Sequence, residues 1–166
     1  MDVERFEVAV PDGRLVGEET GSGPPVVLLH GRGLGLRSWD ELSAELLSSC
    51  RVVRYDLRGH GGSSVAVAPY EEWEDVARVL DARGLASAHF VGLSMGGGVA
   101  LEFALTHPGR VRTLTLVDAA ISGHAWSAEW VAQFRAVREA GRARDEIGSE
   151  GGVGRSEEHT SELQSQ

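Results

Sequence analysis

The sequence predicts an α/β fold built on a doubly wound, mostly parallel sheet, and three observations support this class. Apolar runs such as VVLLH at residues 26–30 are typical of strands buried on both faces of a parallel sheet. Segments with the period of amphipathic helices alternate with these runs along the chain. An antiparallel hairpin precedes them. We therefore expect a sheet with a hairpin at one edge and helices on both faces.

The predicted hairpin comes first. Residues 6–10 alternate apolar and polar side chains, PDGR supplies a turn, and residues 15–20 run back as the second strand. The elements that follow are predicted, in order, as strand 26–30, helix 38–49, strand 51–56, helix 70–83, strand 89–93, helix 96–106 and strand 111–118. Ser38 and Glu41 form a predicted capping box for the first helix, and Gly84 ends the second. His107-Pro108 ends the third.

The composition is that of an ordinary globular protein of one domain, with 166 residues, 42% apolar and 25% charged. A net charge of -9 argues against nucleic acid or an anionic membrane as partner, so a small molecule is expected. Cys50 is the single cysteine, and the N-terminus shows no secretory signal, so a cytoplasmic protein is the default expectation. All sixteen basic residues are arginine, which indicates a GC-rich and bacterial gene.

The stretch FVGLSMGGG, at residues 90–98, places Ser94 between Gly92 and Gly96 where a predicted strand meets a helix. Small residues at these two positions permit a sharp turn that lifts a serine hydroxyl above the sheet. The following helix points its N-terminal amides at the same place. Ser94 is the candidate nucleophile, but the pattern alone arises by chance and needs a base and an oxyanion pocket elsewhere.

The loop after the first parallel strand contains His30, Gly31, Arg32 and Gly33. Ligands of open α/β sheets bind at the carboxyl ends of strands, where this loop lies. The backbone amide of Arg32 could pair with that of Met95 to bind an oxyanion. The other three residues are candidates to line the substrate site. A simple turn is the alternative interpretation of the same loop.

Three ordered motifs resemble those of the α/β-hydrolase fold superfamily, from residue 26 to residue 118. LLHGRG resembles its oxyanion loop, YDLRGHGGS its loop after the next strand, and VGLSMGGGVAL its nucleophile elbow. Branches that use aspartate as nucleophile, such as haloalkane dehalogenases and epoxide hydrolases, differ from this chain at Ser94. The resemblance implies that Asp56, Arg58 and His60 brace the site rather than react. It also implies that no cofactor or metal takes part.

The resemblance implies hydrolysis of an ester, lactone, thioester or similar carbonyl compound, and the lactonase and esterase branch is the most similar. Hydrolysis of a carbon-carbon bond and perhydrolysis stay open. A non-hydrolytic protein that binds a small molecule on the same scaffold is the alternative.

The sequence shows no obvious candidate for the general base that would activate Ser94. The superfamily order is Ser, then Asp or Glu, then His. His107 lies at a helix end, His124 at the start of an expected cap segment, and His159 within the last twelve residues. Asp118, at the end of the strand after the nucleophile helix, is a candidate triad acid, although a structural role is favoured there.

The last residues, RSEEHTSELQSQ, differ in composition from the rest and match one reading frame of a common sequencing adapter, codon by codon, through Ser165. We interpret 155–166 as a non-native tail, with a natural disordered tail as the alternative. The sequence thus predicts the N-terminal part of a hydrolase core at 1–120 and the start of a cap or lid at 121–154, with an amphipathic helix at 127–144. We expect an inactive fragment that lacks the triad histidine and acid.

Overall fold

The structure is a computed structural model that describes residues 3–121 and, beyond them, only residues 128, 129, 132 and 136, which are helical. A six-stranded sheet organises the described part. Its strands are β1 Glu4–Val10, β2 Gly13–Gly21, β3 Pro25–Leu29, β4 Arg51–Tyr55, β5 Ala88–Leu93 and β6 Val111–Val117. They lie in the order β1-β2-β4-β3-β5-β6. The β1-β2 and β2-β4 pairs are antiparallel and the others parallel, which confirms the predicted fold class.

Three α-helices connect the parallel strands: α1 Asp40–Leu46, α2 Glu72–Ala82 and α3 Met95–Thr106. Short 3-10 helices occupy Leu36–Trp39 and Pro108–Arg110. Gly84 follows α2 with φ +66°, and α3 ends before His107-Pro108, as predicted. No helix in the described ranges has the length and apolarity needed to cross a bilayer.

The predicted capping box at Ser38 is wrong. The Ser38 hydroxyl donates to the Gly35 carbonyl, and α1 begins only at Asp40, without a side-chain cap. The first amide of the preceding 3-10 helix, that of Leu36, donates instead to Asp56 at the end of β4. A carboxylate distant in sequence therefore replaces the local cap.

The strands alternate their side chains between two apolar layers. In β3, Val27 and Leu29 belong to the larger cluster, where α2 and α3 pack, while Val26 and Leu28 belong to the smaller one with α1. Every residue of β3 is buried. This explains why the sequence of a central strand shows an unbroken apolar run.

The parallel strands β3, β4 and β5 end at the same edge of the sheet, and each is followed by a loop that carries one of the three motifs. The candidate site is built from these loops. The predicted tail at 155–166 lies outside the described residues, as do most of the predicted cap segment and its helix.

Candidate active site

Ser94 lies between β5 and α3 in a backbone conformation that L residues rarely adopt, with φ 50° and ψ -112°. Its amide donates to the Val117 carbonyl at 2.9 Å, and its own carbonyl accepts from the amides of Gly97, Gly98 and Ala120 at 3.0, 3.1 and 2.9 Å. These bonds to two elements hold the serine in a strained turn, a condition that recurs at functional sites.

The turn is possible because the residues two positions before and after Ser94 are glycines, which have no side chain. A Cβ atom on Gly92 would lie 2.5 Å from the Gly96 carbonyl oxygen. A Cβ atom on Gly96 would meet the carbonyl oxygens of both Leu29 and His30, the second at 2.6 Å. Glycine at these positions lets α3 start directly against the end of β3.

The loop after β3 lies beside the serine. A Cβ atom on Gly31 would lie 3.5 Å from the Ser94 Cβ, which is ordinary contact. Arg32 and Gly33 are exposed, and Gly33 has φ +75°. Within the described part of the chain, neither the Arg32 nor the Met95 amide donates a hydrogen bond. The structure thus brings Ser94, Met95 and the Arg32 loop together at one edge, with two amides there that no described residue engages.

His30 is fully buried, and both of its ring nitrogens are occupied. Nδ1 lies 2.8 Å from the Gly31 carbonyl and Nε2 accepts from the Leu57 amide at 2.9 Å. Burial lowers the pKa of His30, against the opposing hydrogen bond to Gly31, so the neutral ring with its proton on Nδ1 fits these partners. In this conformation the ring has no nitrogen left for a substrate. His30 instead joins the loops after β3 and β4.

A pH dependence follows from this burial. Because the folded His30 pKa lies below its ordinary value of 6.5, stability is full above pH 6.5 and is lost as the pH falls from there toward the folded pKa. We expect this loss to be smaller in His30→Gln, whose amide oxygen can still accept from Leu57. Urea unfolding between pH 8 and pH 5 measures it, with His89→Gln as control. A His30 ring that titrates above 6.5 by NMR would contradict this.

Asp56 braces the same loops. Its carboxylate accepts from the Leu36 amide at 2.7 Å and the Gly62 amide at 2.8 Å, and its carbonyl accepts from the Ser63 hydroxyl at 2.5 Å. The side chain is buried and fully engaged. It lies in a structural position, as the resemblance implied.

Arg58 ties the loop after β4 to α2. Its guanidinium makes a two-pronged pair with Asp75, at 2.7 and 3.0 Å, and lies 4.4 Å above the ring centre of Tyr70. Side chains of Arg58 and Asp75 are only 3% and 4% exposed. His60 Nδ1 lies 3.0 Å from the Arg58 carbonyl, and its ring meets that of His30 edge-on at 5.1 Å.

Asp75 and Glu72, in the first turn of α2, were not predicted as site residues. The pKa of Glu72 is raised, first by burial and then by Glu102, while Arg32 and His60 act in the opposite direction. Glu72 is thus a half-buried carboxyl whose raised pKa is partly offset by the charge of Arg32 in the candidate oxyanion loop. No pattern in the sequence marks it, because it is one of several acidic residues at the start of a helix.

No histidine that the structure describes makes a hydrogen bond with the Ser94 side chain. His107 stacks on Phe103 at the far end of α3, about 18 Å along a helix of this length. His124 and His159 lie outside the described residues. Asp118 is exposed, has φ 46° and directly follows β6, whose last carbonyl bonds the Ser94 amide. Among the described residues, no group of His, Cys, Asp and Glu could hold a metal ion.

Comparison with known proteins points to one family. Its model, the alpha/beta hydrolase fold, matches residues 24–142. The 2-hydroxymuconate semialdehyde hydrolase of a Pseudomonas species is 41% identical over 109 residues, which cover 61% of this chain and 38% of that protein. The 3-oxoadipate enol-lactonase 1 of Acinetobacter baylyi is 36% identical over 123 residues, which cover 72% and 46%.

Solved structures agree with this. A hydrolase from Pseudomonas aeruginosa superposes with a TM-score of 0.70 and 34% identity, covering 87% of this chain and 58% of that one. The chain spans less than half the length of the two curated relatives.

Proposed function

Since the chain belongs to the α/β-hydrolase fold family, we propose that it supplies the nucleophile and the oxyanion hole of a serine hydrolase. The substrate would be a small molecule with an ester, lactone, thioester or similar carbonyl. The two curated relatives are a semialdehyde hydrolase and an enol-lactonase, so lactones and esters are the first compounds to assay.

The observation that carries the proposal is the strained Ser94 between β5 and α3, next to two amides that have no acceptor among the described residues. Ser94 Oγ would form a bond to the carbonyl carbon while its proton passes to a base. The carbonyl electron pair would move onto oxygen, where the Arg32 and Met95 amides donate to it. Collapse of this tetrahedral intermediate would expel the leaving group, which takes the proton from the base. Water would then attack the acyl-serine and cleave it by the same steps.

No described histidine hydrogen-bonds the Ser94 hydroxyl. His30 uses both ring nitrogens on backbone groups, and His60 Nδ1 bonds the Arg58 carbonyl. His89 and His107 lie at the far ends of β5 and α3. We assign the base to a histidine outside the described ranges and keep Asp118 as the less favoured triad acid. We further propose that the 166-residue chain is an inactive fragment, without the triad histidine and acid, and does not turn over by itself.

The test compares two products of the locus. If the genomic locus encodes a longer chain, we expect a fluorophosphonate probe to label that chain at Ser94, and Ser94→Ala to lower ester turnover by roughly 10³-fold or more. Ser87→Ala, at the opposite end of β5, is the matched control and should keep the activity. The 166-residue chain should show no turnover.

Two results would contradict the proposal. Labelling that survives Ser94→Ala would place the reactive group elsewhere. Tight binding of a lactone or ester by the longer chain, without labelling or turnover, would favour the non-hydrolytic binding protein.

A further inference from the structure

The loop after β3 folds back on itself in a tight turn beside the nucleophile. The Leu34 amide donates to the Gly31 carbonyl at 3.2 Å, which closes a turn of four residues. Its third residue, Gly33, has φ +75°, the conformation that a type II turn requires at this position and that glycine adopts without strain. The turn therefore holds residues 31 and 34 next to each other.

This turn brings the Leu34 side chain close to Ser94. The point that a Cβ atom on Gly31 would occupy is 3.6 Å from Leu34 Cδ1 and 3.5 Å from Ser94 Cβ. Since both atoms lie within 3.6 Å of one point, they are at most about twice that distance, or 7 Å, apart. Carbon atoms in contact lie about 4 Å apart, so a short carbon chain bonded to the Ser94 oxygen spans this distance.

The surroundings of Ser94 on this side are apolar. Leu93 Cγ also lies 3.6 Å from the same point, and Leu93 packs against the smaller apolar cluster, on the side of α1. Leu34 is 45% exposed, so part of its isobutyl group remains in contact with water next to the nucleophile. Covering this surface with an apolar group of a ligand is favourable, whereas a polar group gains nothing there.

We propose that Leu34 determines specificity by contacting an alkyl chain attached to the substrate carbonyl. The site would then prefer carbonyl compounds with chains of several carbons over acetates. This inference rests on the proposed function and narrows its substrate class. An alkyl chain reaches the carbonyl carbon from the acyl side or from the alcohol side, and Leu34 recognises the same chemistry in both.

A cysteine in place of the nucleophile tests this in the 166-residue chain, where no base is needed. In Ser94→Cys combined with Cys50→Ser, at pH 9, the largely ionised thiol attacks p-nitrophenyl esters and releases coloured nitrophenolate. We expect the ratio of the hexanoate rate to the acetate rate to be about fourfold higher in the folded chain than in urea, which corresponds to burying one methylene group. Adding Leu34→Ala or Leu34→Gln should remove most of this preference.

Leu105→Ala is the matched control. Leu105 is 75% exposed but lies on α3, about 16 Å along the helix from Ser94, so this variant should keep the ratio. Leu34→Met, which stays apolar, should keep it too. Near-UV circular dichroism checks folding, and Leu34→Gln decides if Leu34→Ala does not fold. Ratios equal to that of unsubstituted Leu34 in these two variants would overturn the inference, whether or not the parent protein is a hydrolase.

Ester turnover by a longer product of the locus separates the two sides of the carbonyl. One series varies the acyl chain of p-nitrophenyl esters, and the other varies the alcohol of alkyl acetates. Leu34→Ala should lower kcat/KM for the longest member of one series by about fourfold relative to its shortest member. An unchanged preference in both series would mean that Leu34 does not meet the substrate, and would overturn this inference alone. An absence of turnover and of labelling at Ser94 would instead overturn the proposed function, and the cysteine variant would still decide the role of Leu34.

Discussion

Replacing Gly96 by alanine is expected to destabilise the fold by at least about 2 kcal/mol, although alanine favours helices by about 1 kcal/mol over glycine. The added Cβ would meet the backbone carbonyl oxygens of Leu29 and His30. These belong to the end of a central, fully buried strand and cannot move aside as a flexible side chain would. Overpacking therefore outweighs helix propensity. Urea unfolding followed by circular dichroism measures the difference.

Gly109→Ala is the matched control. Gly109 also lies in a helical turn, but nothing lies within 4 Å of the Cβ that alanine would add. We expect its effect to stay within about 0.5 kcal/mol, the usual range for surface positions. Equal unfolding midpoints for the two variants would show that the close approach of α3 to β3 is not what requires glycine at position 96.

The close approach at Gly96 also explains why the strand, turn and helix around Ser94 could be predicted from the sequence. A buried strand, a glycine-flanked serine and a helix are consecutive, so local pattern and tertiary geometry carry the same information. The strands of the sheet were predicted to within two residues. β3 and β4 show the apolar run of a strand buried on both faces, while β1 shows the alternation of a strand buried on one face.

The sequence could not show which hydrogen-bond and ion-pair partners come from loops and helices distant along the chain. The Ser38 capping box failed because Asp56, twenty residues from Leu36, provides the acceptor at that helix start. His30 occurs in the expected loop, but nothing local indicates that its ring accepts from the Leu57 amide. Asp75 has no local mark either, since it is one of several acidic residues in α2. These contacts depend on how the loops fold together, which residue patterns do not encode.

The ion pair between Arg58 and Asp75 holds the loop after β4 against α2, and breaking it is the strongest test of this contact. Asp75→Asn removes the negative charge and leaves a guanidinium that is only 3% exposed, with the more distant Asp12 carboxylate, at 3.9 Å, as its remaining ion-pair partner. Breaking a buried pair in this way costs about 3–5 kcal/mol, because the remaining charge stays desolvated. We therefore expect a lower urea midpoint and faster amide exchange in the loop that carries Arg58.

The exposed pair in the same helix gives the control. Glu74 and Arg78 lie 3.1 Å apart with side chains 42% and 34% exposed, so Glu74→Gln should cost less than about 1 kcal/mol. Removing both buried charges, in Arg58→Met with Asp75→Leu, should recover much of the loss, since a buried pair replaced by apolar side chains is often neutral. If Asp75→Asn lowered the free energy of unfolding no more than Glu74→Gln, the Arg58 pair would not be what holds the loop after β4 against α2. Another contact would then have to keep His60 beside His30.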